Sequence, residues 1–206
     1  MIYHGFKEVT FVHPRDESRS TDKVHVSTIL GRLGRMIKVI PDSVDDQDTL
    51  NKKALIQQGH AWEDYAALRL RDRQYICSQM GERDESFVHQ PGEIEKDGIV
   101  GSPDGYRFDV EEFPESEGNF VLWECKATYK SSDIDPTQDE GKWWMWTHQM
   151  MSYCYLMQLN FAQLMAFHVR QEYKKDYPVI KAYNFEFTDE ELEQNWEMLV
   201  RNKRDS

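Results

Sequence analysis

Two carboxylates and an ammonium are the residues best placed to do chemistry. Asp104 sits in the run Gly101-Ser102-Pro103-Asp104-Gly105, and Glu124 and Lys126 lie two apart in Trp123-Glu124-Cys125-Lys126. Carboxylate oxygens are hard ligands that suit Mg²⁺ or Mn²⁺ better than zinc. An ammonium beside them can stabilise a negatively charged transition state. Each half also has a plain explanation. Pro-Asp-Gly is a good turn sequence, and a Glu-x-Lys pair on a strand is ordinarily an ion pair on a solvated face. The flanking residues shift the balance. Phe120-Val121-Leu122 precedes the pair and Cys125 divides it, so the strand reads as buried. Burying ionisable groups is costly without a partner or a metal. Residues two apart on a strand point to one face, so Glu124 and Lys126 project together while Trp123 and Cys125 face the other way. An adjacent antiparallel strand can bring Asp104 beside Glu124, and the converging set then suits metal-assisted hydrolysis of a phosphodiester.

Holding that set requires a sheet, and the hydrophobic pattern supplies one. Residues 86–90, 99–110 and 119–128 read as strands, with Pro103-Asp104-Gly105 interrupting the second and 114–118 turning into the third. Residues 162–170 and 179–187 read as two more. Ahead of them, Ser27 is placed to cap a helix running to about residue 39, with Ile29, Leu30, Leu33 and Ile37 as its apolar stripe. A longer helix spans about 49–76, with Leu55, Trp62, Tyr65, Ala66 and Leu70 apolar. Residues 142–159 read as a helix rich in Trp and Met. Thr188-Asp189-Glu190-Glu191 is a capping box that opens a last helix to about residue 202. The polar stretch 129–141 is long enough to act as a flap. This order predicts one α/β domain over 1–206, a central mixed β-sheet flanked by helices. It divides into a helical extension (1–45), a core (55–187) and a C-terminal helix (188–206).

Composition narrows the function classes. The chain has 206 residues, enough for one domain with a sizeable core. No apolar run approaches the roughly 18–20 residues that span a bilayer, and residues 1–10 lack the apolar stretch of a secretory signal. No membrane association is expected. Cys77, Cys125 and Cys154 are widely spaced, with no CxxC pair; they read as free thiols in a reducing cytoplasm. The net charge of −12 argues against coating nucleic acid by bulk attraction. Any such contact must come from a local basic strip. Arg69, Arg71 and Arg73 form one candidate and Arg32, Arg35 and Lys38 another; each reads equally well as a solvated helix face.

The residues Pro103-Asp104 and Glu124-Cys125-Lys126 resemble the PD-(D/E)XK nuclease pattern. Gly59-His60-Ala61-Trp62-Glu63 is similar to the upstream GxxxE helix motif of the lambda-exonuclease and YqaJ branch. Gln149-Met150-Met151-Ser152-Tyr153 is similar to the QxxxY motif that this branch shares with the RecB-like nucleases, and Ser102-Pro103-Asp104-Gly105 to the lambda-exonuclease aspartate turn. The resemblance covers about residues 55–170. It implies a restriction-endonuclease-like core and a stand-alone Mg²⁺- or Mn²⁺-dependent DNA exonuclease of phage type, acting in the cytoplasm of a bacterial host. A ring-shaped homo-oligomer or a phage recombination partner would fit that reading.

The resemblance also assigns roles. Asp104 and Glu124 would bind the metal with the Cys125 backbone carbonyl, and Glu63 would complete the site. Lys126 would activate the attacking water and stabilise the developing charge. Gln149 and Tyr153 lie four apart, on one helix face; they would orient that cluster or contact the DNA backbone, and Tyr153 can pack into the core as well. His60 could support Glu63, whereas His148 reads as structural. Ser102, Lys130 and Lys142 are candidate DNA contacts. Trp143, Trp144 and Trp146 could stack on bases, although at least one reads as core. Some relatives hold an iron–sulfur cluster with cysteines near the C-terminus. The chain has none after Cys154, so no such cluster is expected. A structure-specific or nicking endonuclease on the same core is the main competing reading, and a catalytically silent DNA-binding module the next.

Overall fold

A change of sheet at Pro103 organises the molecule. The computed structural model describes residues 23–38, 58–68, 87–109, 119–128, 141–168 and 179–203. In chain order the strands are β1 (Val24–His25), β2 (Phe87–His89), β3 (Ile94–Lys96), β4 (Ile99–Gly101), β5 (Gly105–Asp109), β6 (Asn119–Thr128), β7 (Phe161–His168) and β8 (Val179–Glu186). The helices are α1 (Val26–Met36), α2 (58–68), α3 (Lys142–Met157) and α4 (Asp189–Asn202). Five strands form one mixed sheet in the order β2-β5-β6-β7-β8, and three form a smaller one in the order β1-β4-β3. β6 and β7 run parallel, and α3 lies in the crossover that a parallel pair requires.

The segment 99–110 expected as one interrupted strand therefore splits between two sheets. Pro103 has no N–H to give a ladder, so the chain leaves β4 there and re-enters pairing at Gly105. The hairpin that makes β3 was not anticipated, although its signal is present. Asp97 and Gly98 both take positive φ, 52° and 67°, as a two-residue type I′ turn demands of an Asp-Gly pair.

The α1 helix also differs from expectation. It starts at Val26, one residue before Ser27, and the N-cap is His25 with no side-chain cap. The physical reason is that His25 is still paired with Val100 in the β1–β4 ladder, so tertiary pairing sets the start. The helix ends at Met36. By contrast, α4 begins as local chemistry dictates. The Thr188 hydroxyl accepts from the Glu191 N–H at 3.2 Å, and the Glu191 carboxylate accepts from the Thr188 N–H at 2.9 Å. Three acidic residues in the first turn, Asp189, Glu190 and Glu191, complement the helix dipole.

The core follows strand parity. Leu122 on β6 and Ala162, Leu164 and Ala166 on β7 face one way, into a cluster with Ile29, Leu30, Trp146, Met150 and Leu199 of α1, α3 and α4. Trp123, Cys125 and Phe167 face the other way, against Ala66 and Ala67 of α2. Burying each large apolar side chain contributes roughly 1.5–3 kcal/mol, and a one-residue register slip would invert both faces. Among the described residues, no helix is long and apolar enough to cross a membrane.

Candidate active site

The site forms where a ladder ends. β5 pairs β6 antiparallel, and its pairing stops at Gly105 opposite Trp123. Among the described residues, β6 continues to Thr128 against β7 alone. Beyond Trp123, among those residues, Asp104 rather than a further strand lies along the other edge of β6. The Cys125 N–H donates to Asp104 Oδ2 at 2.8 Å, so an aspartate side chain takes the place of the next strand. Within a strand, a residue's N–H and C=O point to the same side. The Cys125 carbonyl therefore opens towards the Asp104 carboxylate. The Asp104 N–H in turn reaches Glu124 Oε2 at 3.4 Å. Asp104 is 4% exposed and Glu124 1%, so both carboxylates lie almost out of solvent.

Lys126 is paired with Glu124 through Nζ and Oε1. Burial alone would lower the lysine pKa, but Glu124, then Asp104, outweigh it and hold the ammonium well above its usual range. The neighbouring carboxylates thus favour the charged form, which suits charge stabilisation. The parity expectation holds. Glu124 and Lys126 share the α3 face with Leu122, and Trp123 and Cys125 pack towards α2.

Glu63 arrives from the opposite layer. It lies on α2, 5% exposed, with His60 Nδ1 3.7 Å from Oε2 and His89 Nε2 3.3 Å from Oε1. The Gln90 amide donates to the same Oε1 at 3.3 Å, while the Gln90 backbone N–H donates to the Asp104 carbonyl at 2.8 Å. His60 thus lies beside Glu63, the proximity that its i,i+3 spacing allowed. His89 and Gln90 were not identified from the sequence. The available signal was a polar His-Gln pair closing a short apolar run, which is weak.

The remaining pair comes from α3. The Gln149 amide donates to the Tyr153 hydroxyl at 2.7 Å, and Tyr153 is 3% exposed. Burial first, and the nearby Glu124 carboxylate next, push the phenol up to about 12, so it stays a neutral donor. Tyr153 both packs in the core and lies within electrostatic reach of Glu124 and Lys126. Close approach is secured by Gly101 on β4. A Cβ there would lie 3.0 Å from the Tyr153 ring and 2.5 Å from Leu156 Cδ1.

The donor set suits a hard divalent cation. It offers two buried carboxylates and an adjacent backbone carbonyl, and Mg²⁺ commonly uses one or two carboxylates while keeping several waters. In the arrangement described, no three His, Cys, Asp or Glu side chains among the described residues are grouped to hold a metal ion. Lys126 occupies Glu124, and Glu63 is engaged by its own partners. The Cys125 thiol is raised well above its usual range, first by burial and then by Asp104 and Glu63. A neutral thiol is a poor ligand, so oxygen donors dominate.

Other sequence candidates separate cleanly. Ser102 is half-buried between β4 and β5. Lys130 and the arginines at 69, 71 and 73 lie outside the described residues, as does the side chain of Lys142, the first residue of α3. Trp143 and Trp146 are core residues, each 5% exposed, and Trp144 lies against the His148 ring at 4.3 Å. Arg32 is bound to the Asn202 carbonyl at the end of α4, a C-terminal capping role; Arg35 and Lys38 are exposed. Cys125 and Cys154 are free thiols, as expected.

No protein-family profile and no curated protein matches the sequence. Solved structures do. The alkaline exonuclease LHK-Exo from Laribacter hongkongensis is similar over 88% of this chain and 86% of its own, at 15% identity and a TM-score of 0.51. The same enzyme in complex with dAMP aligns over 88% and 86%, at 14% identity and a TM-score of 0.45. A phage-related exonuclease from Haemophilus somnus aligns over 87% of this chain and 91% of its own, at 14% identity and a TM-score of 0.40. The first of these likenesses shows the fold: the chain folds as that exonuclease does, the architecture its motif pattern implied.

Proposed function

We propose that this exonuclease-like fold carries a Mg²⁺- or Mn²⁺-dependent DNA exonuclease, hydrolysing phosphodiester bonds from DNA ends. The observation that carries the reading is the edge of β6, where Asp104 replaces a strand beside Glu124 and the Cys125 carbonyl, with Lys126 adjacent. Asp104, Glu124 and the Cys125 carbonyl would hold the cation, with Glu63 completing the set. When bound, the cation would supply Lewis-acid polarisation of a phosphoryl oxygen and a more acidic water. Lys126 would place a positive charge where the phosphorane gains negative charge, an effect typically worth about 10²–10³ in rate. Tyr153, kept protonated, and Gln149 orient that lysine–carboxylate cluster or reach a DNA phosphate. Ser102, Lys130 and Lys142 are proposed DNA contacts. A homo-oligomer and a role in phage recombination are consistent with such an enzyme.

A single digest tests the proposal. Linear, nicked and closed circular DNA are incubated with Mg²⁺, Mn²⁺ or EDTA, beside Lys126→Ala. Loss of linear DNA only, dependent on cation and on Lys126, is expected. Cutting of closed circles would replace the exonuclease with an endonuclease on the same site. DNA binding without cleavage under any condition would leave a silent binding module.

A further inference from the structure

Gln90 takes a left-handed backbone conformation, φ 51°, at the end of β2, one residue past the last ladder pair, His89 with Gly105. A non-glycine residue at positive φ is strained, and such residues persist where surrounding contacts over-determine them. Here the contacts are specific. The Gln90 N–H holds the Asp104 carbonyl at 2.8 Å and its side-chain amide holds Glu63 Oε1 at 3.3 Å. His89 Nε2, one residue earlier on the α2 face, meets the same Glu63 oxygen at 3.3 Å. Glu63 and Asp104 are supplied by α2 and by the 102–104 connection, and they belong to different layers of the molecule. One residue thus bonds to both.

We infer that Gln90 is a positioning residue that couples Glu63 to Asp104 across the end of the β2–β5 ladder and sets where the Glu63 carboxylate stands for a divalent cation. The inference rests on the metal-site reading above. Its physical basis is that the Gln90 N–H still faces β5 as the ladder ends, while the left-handed conformation turns the side chain to Glu63 on α2; an extended continuation of β2 would carry the chain onward. The residue is exposed, so it contributes little core packing. Its two hydrogen bonds are what the residue adds. Partners of this kind, which hold a metal ligand without touching the metal, typically cost 10- to 100-fold in affinity when removed.

Two substitutions separate this role from a structural one. Gln90→Gly removes the amide and relaxes the positive-φ strain, because glycine adopts that conformation freely. Gln90→Asn keeps an amide and tolerates the left-handed region but lacks the reach to Glu63. Mn²⁺ binding to the full chain is measured by calorimetry, with thermal unfolding of the metal-free protein recorded alongside. Both variants should bind Mn²⁺ about 10- to 100-fold more weakly, with no fall in the metal-free unfolding midpoint of Gln90→Gly. In a Glu63→Gln background, Gln90→Asn should cause little further loss, since the two act as one unit. Wild-type affinity in both Gln90 variants overturns the inference, and so does an affinity loss matched by a lower Gln90→Gly midpoint. Asp104→Asn is the control: if it loses Mn²⁺ binding while the Gln90 variants do not, the inference alone falls, and if it too binds normally, the metal-site reading falls and the inference with it.

Discussion

Asp104 and Lys126 have different proposed roles, and substitution should separate them. The Cys125 N–H bonds one Asp104 oxygen, and an asparagine carbonyl can accept the same bond. Asp104→Asn should therefore keep the fold, remove one charge from a buried acidic cluster and weaken cation binding, with cleavage abolished. Circular dichroism and a Mn²⁺ titration check it; normal cleavage would refute the site assignment. Lys126→Ala removes the cation paired with Glu124, a carboxylate that is only 1% exposed. Leaving a buried charge unpaired costs roughly 3–5 kcal/mol, so the metal-free variant should unfold at lower denaturant, and added Mn²⁺ should recover part of the loss. A variant as stable as wild type without metal would contradict the burial argument.

His148 makes a pH prediction at the same scale. Burial lowers its pKa, against the pull of the Trp144 carbonyl that its ring nitrogen faces at 2.8 Å. The folded state thus resists a proton that the unfolded chain accepts below about 6.5. The sign follows: this stabilisation is complete above the unfolded value and is lost as pH falls through the folded one. Urea midpoints at pH 7.5 and 5.5 should fall further for wild type than for His148→Phe; equal falls would remove the effect.

At the scale of elements, the site depends on how closely β4 and α3 approach. Gly101 leaves no room for a side chain against Tyr153 and Leu156. Leu156 can rotate away, but Tyr153 is held by Gln149. Gly101→Ala should push α3 outward, at a cost of about 1–3 kcal/mol, and should lower cleavage by displacing Tyr153 from Lys126. Unchanged melting and unchanged cleavage would show that α3 is not locked there. The same helix is tied to α4 on its other side. The Asn195 amide donates to the His148 carbonyl at 3.2 Å and to the Ser152 hydroxyl at 3.0 Å. These bonds flank Gln149 and set the rotation of α3. Helix existence was readable from the sequence, because the Trp- and Met-rich run is long and Thr188 to Glu191 is a self-contained cap. Helix α1 was misplaced at its start because its cap position is a paired strand residue, which no local pattern reveals.

Across the whole molecule, charge would constrain how the proposed DNA substrate is held. A net charge of −12 repels a polyanion, and Arg32, one candidate for a basic strip, is spent at the end of α4. Binding should therefore rest on a few local contacts and on the cation. With Ca²⁺ in place of Mg²⁺, the salt dependence of DNA affinity should be shallow, a log–log slope of about −3 or smaller in magnitude, since each neutralised phosphate adds roughly −0.9. A slope near −8 would indicate an extensive basic footprint and oppose this picture.

What the sequence determined by itself is whatever the backbone period enforces over a few residues. Glu124 and Lys126 share a face because a strand repeats every two residues. Gln149 and Tyr153 bond because a helix brings i and i+4 together. Thr188 and Glu191 form a reciprocal cap because they lie three positions apart. Only the tertiary structure decided where the β5 ladder stops, that Pro103 divides two sheets, and that His89 and Gln90 meet Glu63. Those features depend on hydrogen-bond register and helix docking between residues well separated in the chain. Their positions follow from which faces can be buried together, not from any local repeat.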